Sequence, residues 1–297
     1  MKQEYSEIKQ LYLELMHDGI KEVVPLHGGF TNTSYMIETV DRRCVMRIPG
    51  IGTNEYIDRE DEILNLRKLS STGFVPRLLY SDINTGIIIS EFVEESIPFV
   101  EQDIYVQEKL KSLCSTLLAL HRSKIVFNNE FDIVAIKDSY KVVLDEIEAE
   151  LPREVADAET RLDSAVERLF KKYPKQLVPC HGDPKLNNFL FSGDRLYLID
   201  WEYSGMADCY FDLVNLIMTN NLNLEQESLC LTMYEQCSGQ RIIQEKYILY
   251  KVITDYLWLY WHLIKLQQGQ MVDYNERSWQ HRLNRALENL DLVEAIR

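Results

Sequence analysis

The chain lacks any stretch approaching the roughly 20 apolar residues that a membrane helix requires. Its opening, MKQEYSEIKQLYLELM, alternates charged and apolar residues at helical spacing. It has neither the uninterrupted apolar segment nor the cleavage site of a secretory signal. No internal repeat or low-complexity tract occurs, which argues against solenoids and linkers. The six cysteines (Cys44, Cys114, Cys180, Cys209, Cys230 and Cys237) include no CxxC pair. Scattered thiols in a chain this size predict reduced, mostly buried side chains in the cytoplasm, not a disulfide framework or zinc site. Positive charge is also scarce. With 32 Lys and Arg against 47 Asp and Glu, the formal net charge is -15. A phosphate backbone would be repelled, which excludes nucleic acid as a partner, whereas a small cationic substrate is compatible.

What is present is a folded composition, 46% hydrophobic and 27% charged, in 297 residues, enough for two lobes around a cleft. The first part is β-rich. Thr33 to Thr39 and Arg43 to Ile48 read as strands joined by a Val-Asp-Arg turn. Asp58 to Leu69 carries a helical stripe, and VPRLLYSDINTGIIISEFV reads as two strands around Asn-Thr-Gly. From Gln102 the pattern turns helical. Leu110, Leu113, Leu117, Leu118 and His121 share a face; Asp138 to Glu150 and Asp157 to Lys172 are amphipathic, separated by Pro152. One β-rich island, QLVPCHGDPKLNNFLFSGDRLYLIDWEYSG, interrupts the helices, which resume near Asp212. The fold class expected is α+β, with a joint at Glu91-Phe92-Val93-Glu94-Glu95 dividing lobes of residues 1–93 and 94–297.

The island carries the chemistry. His181-Gly182-Asp183 is followed by Asn188, and then by Asp200 in Ile199-Asp200-Trp201-Glu202. Phosphoryl transfer needs a carboxylate to orient the attacking hydroxyl and accept its proton, and oxygen ligands for magnesium. Asp183 fits the base, and Asn188 with Asp200 the metal ligands. Turn propensity alone could place single Asp and Asn residues in loops. Strand runs at Gln176 to Pro179, Phe189 to Phe191 and Leu196 to Ile199 frame both polar elements, which favours function.

HGDPKLNNFLF followed by LYLIDWEYSGMADCYFDLVNL resembles the Brenner-type loop of the aminoglycoside phosphotransferase and choline kinase superfamily, whose fold is protein-kinase-like and bilobal. GGFTNTSYMI, REDEILNLRKL, LLALH and YKVITDYLWLYWHLI extend the likeness along the chain, nearest to bacterial choline kinases of the Lic type. The resemblance implies ATP- and magnesium-dependent phosphorylation of the choline hydroxyl, giving phosphocholine and ADP. It implies a nucleotide-binding first lobe, with adenine held by backbone at Glu91, Phe92 and Val93, and a catalytic, acceptor-binding second lobe.

Gly28-Gly29-Phe30-Thr31-Asn32 sits where a phosphate-covering loop would lie, since glycines let backbone approach phosphate oxygens. It lacks GxGxxG, but GGxTNxxY is usual in the resembling family. Where protein kinases place a strand Lys, this chain has Arg47, whose planar fork can bind phosphate. Glu62 is its expected helix partner, with Glu60 as the alternative.

Asp255, Trp258 and Trp261 share one helical face in DYLWLYWH. Two indoles and a carboxylate suit a quaternary ammonium through cation–π attraction; Trp is also an ordinary core filler. The residues leave both readings open. The resemblance implies that Trp258, Trp261 and Tyr203 line a choline pocket. Related sequences often carry an acid about seven residues after the position of Asp212, where this chain has Thr219, Asn220 and Asn221; Glu202 or Asp255 could compensate. Ethanolamine, thiamine and aminoglycosides are the rival acceptors. A catalytically dead choline-binding protein is the rival class, opposed by the intact Asp183, Asn188 and Asp200.

Overall fold

In a strand, successive side chains point to opposite faces, so alternation decides what each face meets. The computed structural model describes residues 2–26, 32–50, 57–149, 151–268 and 279–296. The charged–apolar opening folds as α1 (Lys2–Met16), followed by β1 (Ile20–Leu26), β2 (Asn32–Thr39) and β3 (Arg43–Pro49). Thr39 closes the turn between β2 and β3. Its amide donates to the Arg42 carbonyl at 2.9 Å, and its hydroxyl accepts from the Asp41 and Arg42 amides. Tyr35, Ile37, Cys44 and Met46 face α1, where they pack with Ile8 and Tyr12 in the smaller of two apolar clusters. Arg47 follows Met46 and therefore leaves by the other face, where it meets α2 (Arg59–Leu69). Asp58 caps α2 by accepting from the Asp61 amide at 3.1 Å. With β4 (Leu78–Ser81) and β5 (Ile88–Glu91), the antiparallel sheet has the order β1-β2-β3-β5-β4.

Beyond β5 the chain is mainly helical. β6 (Ile97–Pro98) precedes α3 (Gln107–His121), α4 (Ile133–Glu146) and α5 (Arg153–Lys172). The island supplies β7 (Leu177–Cys180), β8 (Phe189–Ser192) and β9 (Arg195–Leu198), and β10 (Gly205–Asp208) follows at its end. Then come α6 (Cys209–Thr219), α7 (Leu224–Ser238), α8 (Gln244–Gln267) and α9 (Trp279–Ala295). β10 pairs with β7, and β8 lies between β6 and β9, all antiparallel. The larger apolar cluster runs through these helices and takes in Ile63, Leu66 and Leu69 of α2. That shared packing docks the sheet onto the helical body. All six cysteines are free thiols, and Cys44, Cys114, Cys180 and Cys230 are buried. No helix of the described residues is long and apolar enough to cross a membrane.

The fold is the α+β, sheet-then-helix arrangement that the pattern predicts, with local corrections. α4 starts before the expected Asp138, because the Asp132 carboxylate caps it by accepting from the Val134 and Ala135 amides. It also ends before Glu150, since Glu148 turns to a positive φ of 51°. α5 starts directly after Pro152 rather than at Asp157. β6 and β10 were not expected. Ile-Pro and Gly-Met-Ala-Asp carry little strand propensity, and both segments become strands by pairing with the island.

α8 and α9 are held by a buried charge cluster. Asp255, 0% exposed, accepts from Arg285 Nε at 2.9 Å and Nη2 at 2.5 Å, with Arg282 Nη1 3.6 Å away. Asp255→Ala leaves both guanidinium groups without their acid, and should lower the unfolding free energy by about 3–5 kcal/mol. Urea denaturation measures this; a loss below about 1 kcal/mol would contradict the pairing as a main tie between the helices.

Candidate active site

The island places the Asp183 loop by bonding one backbone turn onto a buried acid. β7 ends at Cys180, and the chain turns through His181-Gly182-Asp183. Gly182 has φ of 82°, and a Cβ there would overlap the carbonyl oxygen of Tyr203. Only glycine fits that turn without strain. Asp212, from the first turn of α6, lies beneath it and is 0% exposed. Its carboxylate accepts from the His181 amide at 2.8 Å, the Gly182 amide at 2.7 Å and the His121 Nε2 at 3.0 Å. With Nε2 donating, His121 Nδ1 accepts from the Tyr234 hydroxyl at 2.8 Å. Burial pushes the Asp212 carboxyl upward, but the hydrogen bonds from His121 and from the His181 amide outweigh burial and hold it below its ordinary range.

His181 is fully enclosed, and burial depresses its basicity, so its imidazole is neutral. Its Nε2 donates to the Ile199 carbonyl at 2.9 Å, leaving Nδ1 to accept from the Asp183 amide at 3.3 Å. Asp183 thus sits on a loop pinned from below, with Lys185 Nζ 2.7 Å from its Oδ2. Asn188 lies in the 3-10 turn Leu186–Asn188, and its amide nitrogen donates to the Asp183 carbonyl at 3.1 Å. Asn220 accepts from the Leu186 amide at 2.9 Å, and Asn215 donates to the Gly182 carbonyl at 2.8 Å. Asp200 follows β9 with a positive φ of 68°. Burial raises its carboxyl above the usual range, opposed by the charge of Arg47.

The sheet meets this loop through Arg47, whose Nη1 donates to Asp200 Oδ1 at 3.0 Å. Its other terminal nitrogen pairs with Glu62. Glu62, not Glu60, is therefore the helix partner of Arg47. The metal-ligand chemistry fits. Asn188 commits its nitrogen to Asp183, which leaves its amide oxygen as the donor, and an Asp and Asn oxygen set suits a hard divalent cation. Asn32 heads β2; Gly28, Gly29 and Thr31 lie outside the described residues. At the joint, the Glu91 amide donates to the Arg77 carbonyl and the Phe92 amide to the Arg43 carbonyl, which anchors the approach to Val93.

Two expected acceptor acids are committed elsewhere. Glu202 has a side chain 4% exposed, accepting from Asn32 at 2.8 Å and Arg59 at 3.4 Å. Asp255 belongs to Arg285 and Arg282. Neither is offered to a ligand here, because each balances a neighbouring guanidinium. Trp258 and Trp261 do come together, ring centroids 5.9 Å apart and edge to face at 80°. Arg282 lies 6.0 Å over the first ring and Lys265 5.7 Å over the second. Tyr203 is half-buried; its hydroxyl is pushed up by burial first, then by Glu202, Asp183 and Asp200. Sequence reasoning missed Lys185, Asn215, His121 and Tyr234. Lys185 stands two residues after Asp183, a signal that was there to use; the other three are visible only once the helices pack.

A sheet docked on a helical body, with Asp, Asn and Asp gathered beneath a strand Arg, defines a small-molecule kinase. The family described as the phosphotransferase enzyme family matches residues 22–236, and the chain belongs to it. Protein LicA of Haemophilus influenzae is 27% identical over 253 residues, covering 82% of this chain and 73% of that protein. The crystal structure of choline kinase LicA from Streptococcus pneumoniae has a TM-score of 0.78 at 28% identity, covering 98% of this chain and 99% of that one. A structure of LicA in complex with AMP has a TM-score of 0.74 at 27% identity, covering 97% and 98%.

Asp212→Asn replaces the charged acceptor of three donors, so both turnover and stability should fall. The sign with pH follows from its depressed carboxyl. The stabilisation is complete above about pH 3.9, the ordinary Asp value, and is lost as pH falls through the lower folded value. Melting temperatures should therefore differ most near neutrality and converge below about pH 4. A gap unchanged by acid would contradict this role.

Proposed function

We propose that this chain transfers the γ-phosphoryl group of ATP to the hydroxyl of choline, giving phosphocholine and ADP. The observation that carries the reading is one loop holding Asp183, Lys185 and Asn188, bonded to the strand end before Asp200, which in turn takes Arg47. Asp183 acts as the base, orienting the choline hydroxyl and taking its proton as the oxygen attacks. Lys185 steadies that carboxylate and puts positive charge where the transferring group gathers negative charge. Asn188 and Asp200 hold magnesium, which neutralises the phosphates when bound. Arg47, oriented by Glu62, turns its fork to the phosphates. Residues 1–93 form the nucleotide lobe, with Asn32 on the phosphate side and the Glu91–Val93 backbone at the adenine. Residues 94–297 form the catalytic and acceptor lobe. The AMP complex of a relative supports nucleotide use, and the choline kinase identity of another supports the acceptor.

The chemistry of the acceptor supports choline over ethanolamine. A primary ammonium carries three donors and needs several acceptors. Glu202 and Asp255 are both already paired with arginines. A quaternary ammonium has no donor, and aromatic faces such as Trp258, Trp261 and Tyr203 suffice for it.

Product formation from ATP and choline, followed by 31P NMR, tests the activity. Asp183→Asn should lower kcat by several orders of magnitude while leaving ATP binding in place. Near-native turnover by the variant would remove Asp183 from the role of base. Trp261→Ala should raise the choline KM by about tenfold and leave the ATP KM nearly unchanged. A lower melting temperature with an unchanged choline KM would make Trp261 a packing residue and leave the acceptor pocket elsewhere.

A further inference from the structure

Arg59, the first residue of α2, is a member of a closed circuit of charges. The circuit starts at the head of β2, where Asn32 Nδ2 donates to Glu202 Oε2 at 2.8 Å. Arg59 Nη1 donates to the same oxygen at 3.4 Å and to Glu62 Oε2 at 2.9 Å. The other oxygen of Glu62 pairs with Arg47, and Arg47 Nη1 donates to Asp200 Oδ1 at 3.0 Å. Asp200 and Glu202 flank Trp201, so the chain itself closes the ring. Trp201 is fixed in turn, with Nε1 donating to the Leu198 carbonyl at 3.1 Å and its ring inclined at 62° to that of His181.

Two guanidinium groups and three carboxylates leave the circuit one negative charge in excess. Its interior members are enclosed: the side chains of Arg59, Glu62 and Glu202 are 6%, 1% and 4% exposed. Asp200, at 34%, is the most open of the five charged groups, so the surplus charge is most accessible at the expected metal position. A divalent cation arriving there competes with Arg47 for Asp200. Arg47 can leave Asp200 and still be aimed only if Glu62 stays put, and Arg59 is what holds Glu62 from behind. The same nitrogen of Arg59 holds Glu202, and so keeps the Asp200 turn in register with the sheet.

We infer that Arg59 is a positioning residue that couples the magnesium-binding turn to the phosphate-binding arginine, through Glu202 on one side and Glu62 on the other. The inference rests on the magnesium-ATP reading above, but not on the identity of the acceptor. Both of these bonds use a single nitrogen of Arg59, so an ammonium placed there can keep the two of them. Lysine should therefore rescue what an apolar side chain of similar length cannot.

Isothermal titration of the full chain with ATP, with and without magnesium, measures how far the metal tightens ATP binding. In Arg59→Met that tightening should shrink by about tenfold or more, as removal of one partner from a buried charge network implies. Affinity for metal-free ATP should change little, and Arg59→Lys should stay within about threefold of the wild type. In turnover, the magnesium-ATP KM should rise while the acceptor KM holds. An undiminished metal effect in folded Arg59→Met would overturn the proposal. If that variant does not fold, Glu202→Gln removes the charge from the far side of the bridge; it too should reduce the metal effect, and an unchanged value would be equally decisive. A wild-type protein that binds magnesium-ATP but does not phosphorylate choline would overturn the acceptor assignment alone. Absence of any magnesium-linked ATP binding in the wild type would overturn both.

Discussion

The buried carboxylate of Asp212 is the constraint on which the rest of the site depends. A charge removed from water is tolerable only when its oxygens are fully bonded, and here three donors from two parts of the chain meet that demand. Two of them are consecutive backbone amides, so satisfying the acid fixes the turn at His181 and Gly182. That turn aims Asp183 outward, and Asn188 is bonded back onto the same loop. The third donor, His121, ties α3 to the arrangement and is itself oriented by Tyr234 of α7. One desolvated charge thus converts the packing of several helices into the position of the Asp183 side chain.

The sheet answers with a second electrostatic system of a different kind. Asp212 accepts from two backbone amides and one imidazole, whereas Arg47 is shared between Glu62 and Asp200. A shared counter-ion suits the proposed reading, in which phosphate takes Arg47 from Asp200 while Glu62 keeps its partner. The positive φ of Asp200 has the same logic, since strain at an outlying backbone conformation persists where the surroundings over-determine it.

Much of this was legible in the sequence, for identifiable reasons. The alternation in Thr33–Thr39 and Arg43–Ile48 determines which face Arg47 takes, and β2 and β3 follow it. The spacing of Asp183, Asn188 and Asp200 marks the loop because all three carry side-chain oxygen atoms within a short, strand-framed segment. Contacts at long separation in the chain were not legible. Asp255 shares a helical face with Trp258, as its spacing implies, but nothing local reveals that Arg282 and Arg285 would claim it from α9. Glu202 likewise reads as a spare acid until Asn32 and Arg59 close around it. Spacing within one element predicts direction; it does not predict which partner arrives from another.

The central claim is that one pinned loop and one strand arginine form a magnesium-ATP site. A crystal structure of the protein with magnesium and a non-hydrolysable ATP analogue tests it most directly. The account predicts the metal on the side-chain oxygens of Asn188 and Asp200. It predicts Arg47 transferred from Asp200 to a phosphate while still paired with Glu62, and Asp183 facing the terminal phosphate. A metal bound away from Asn188 and Asp200, or Arg47 still on Asp200 with nucleotide present, would contradict it.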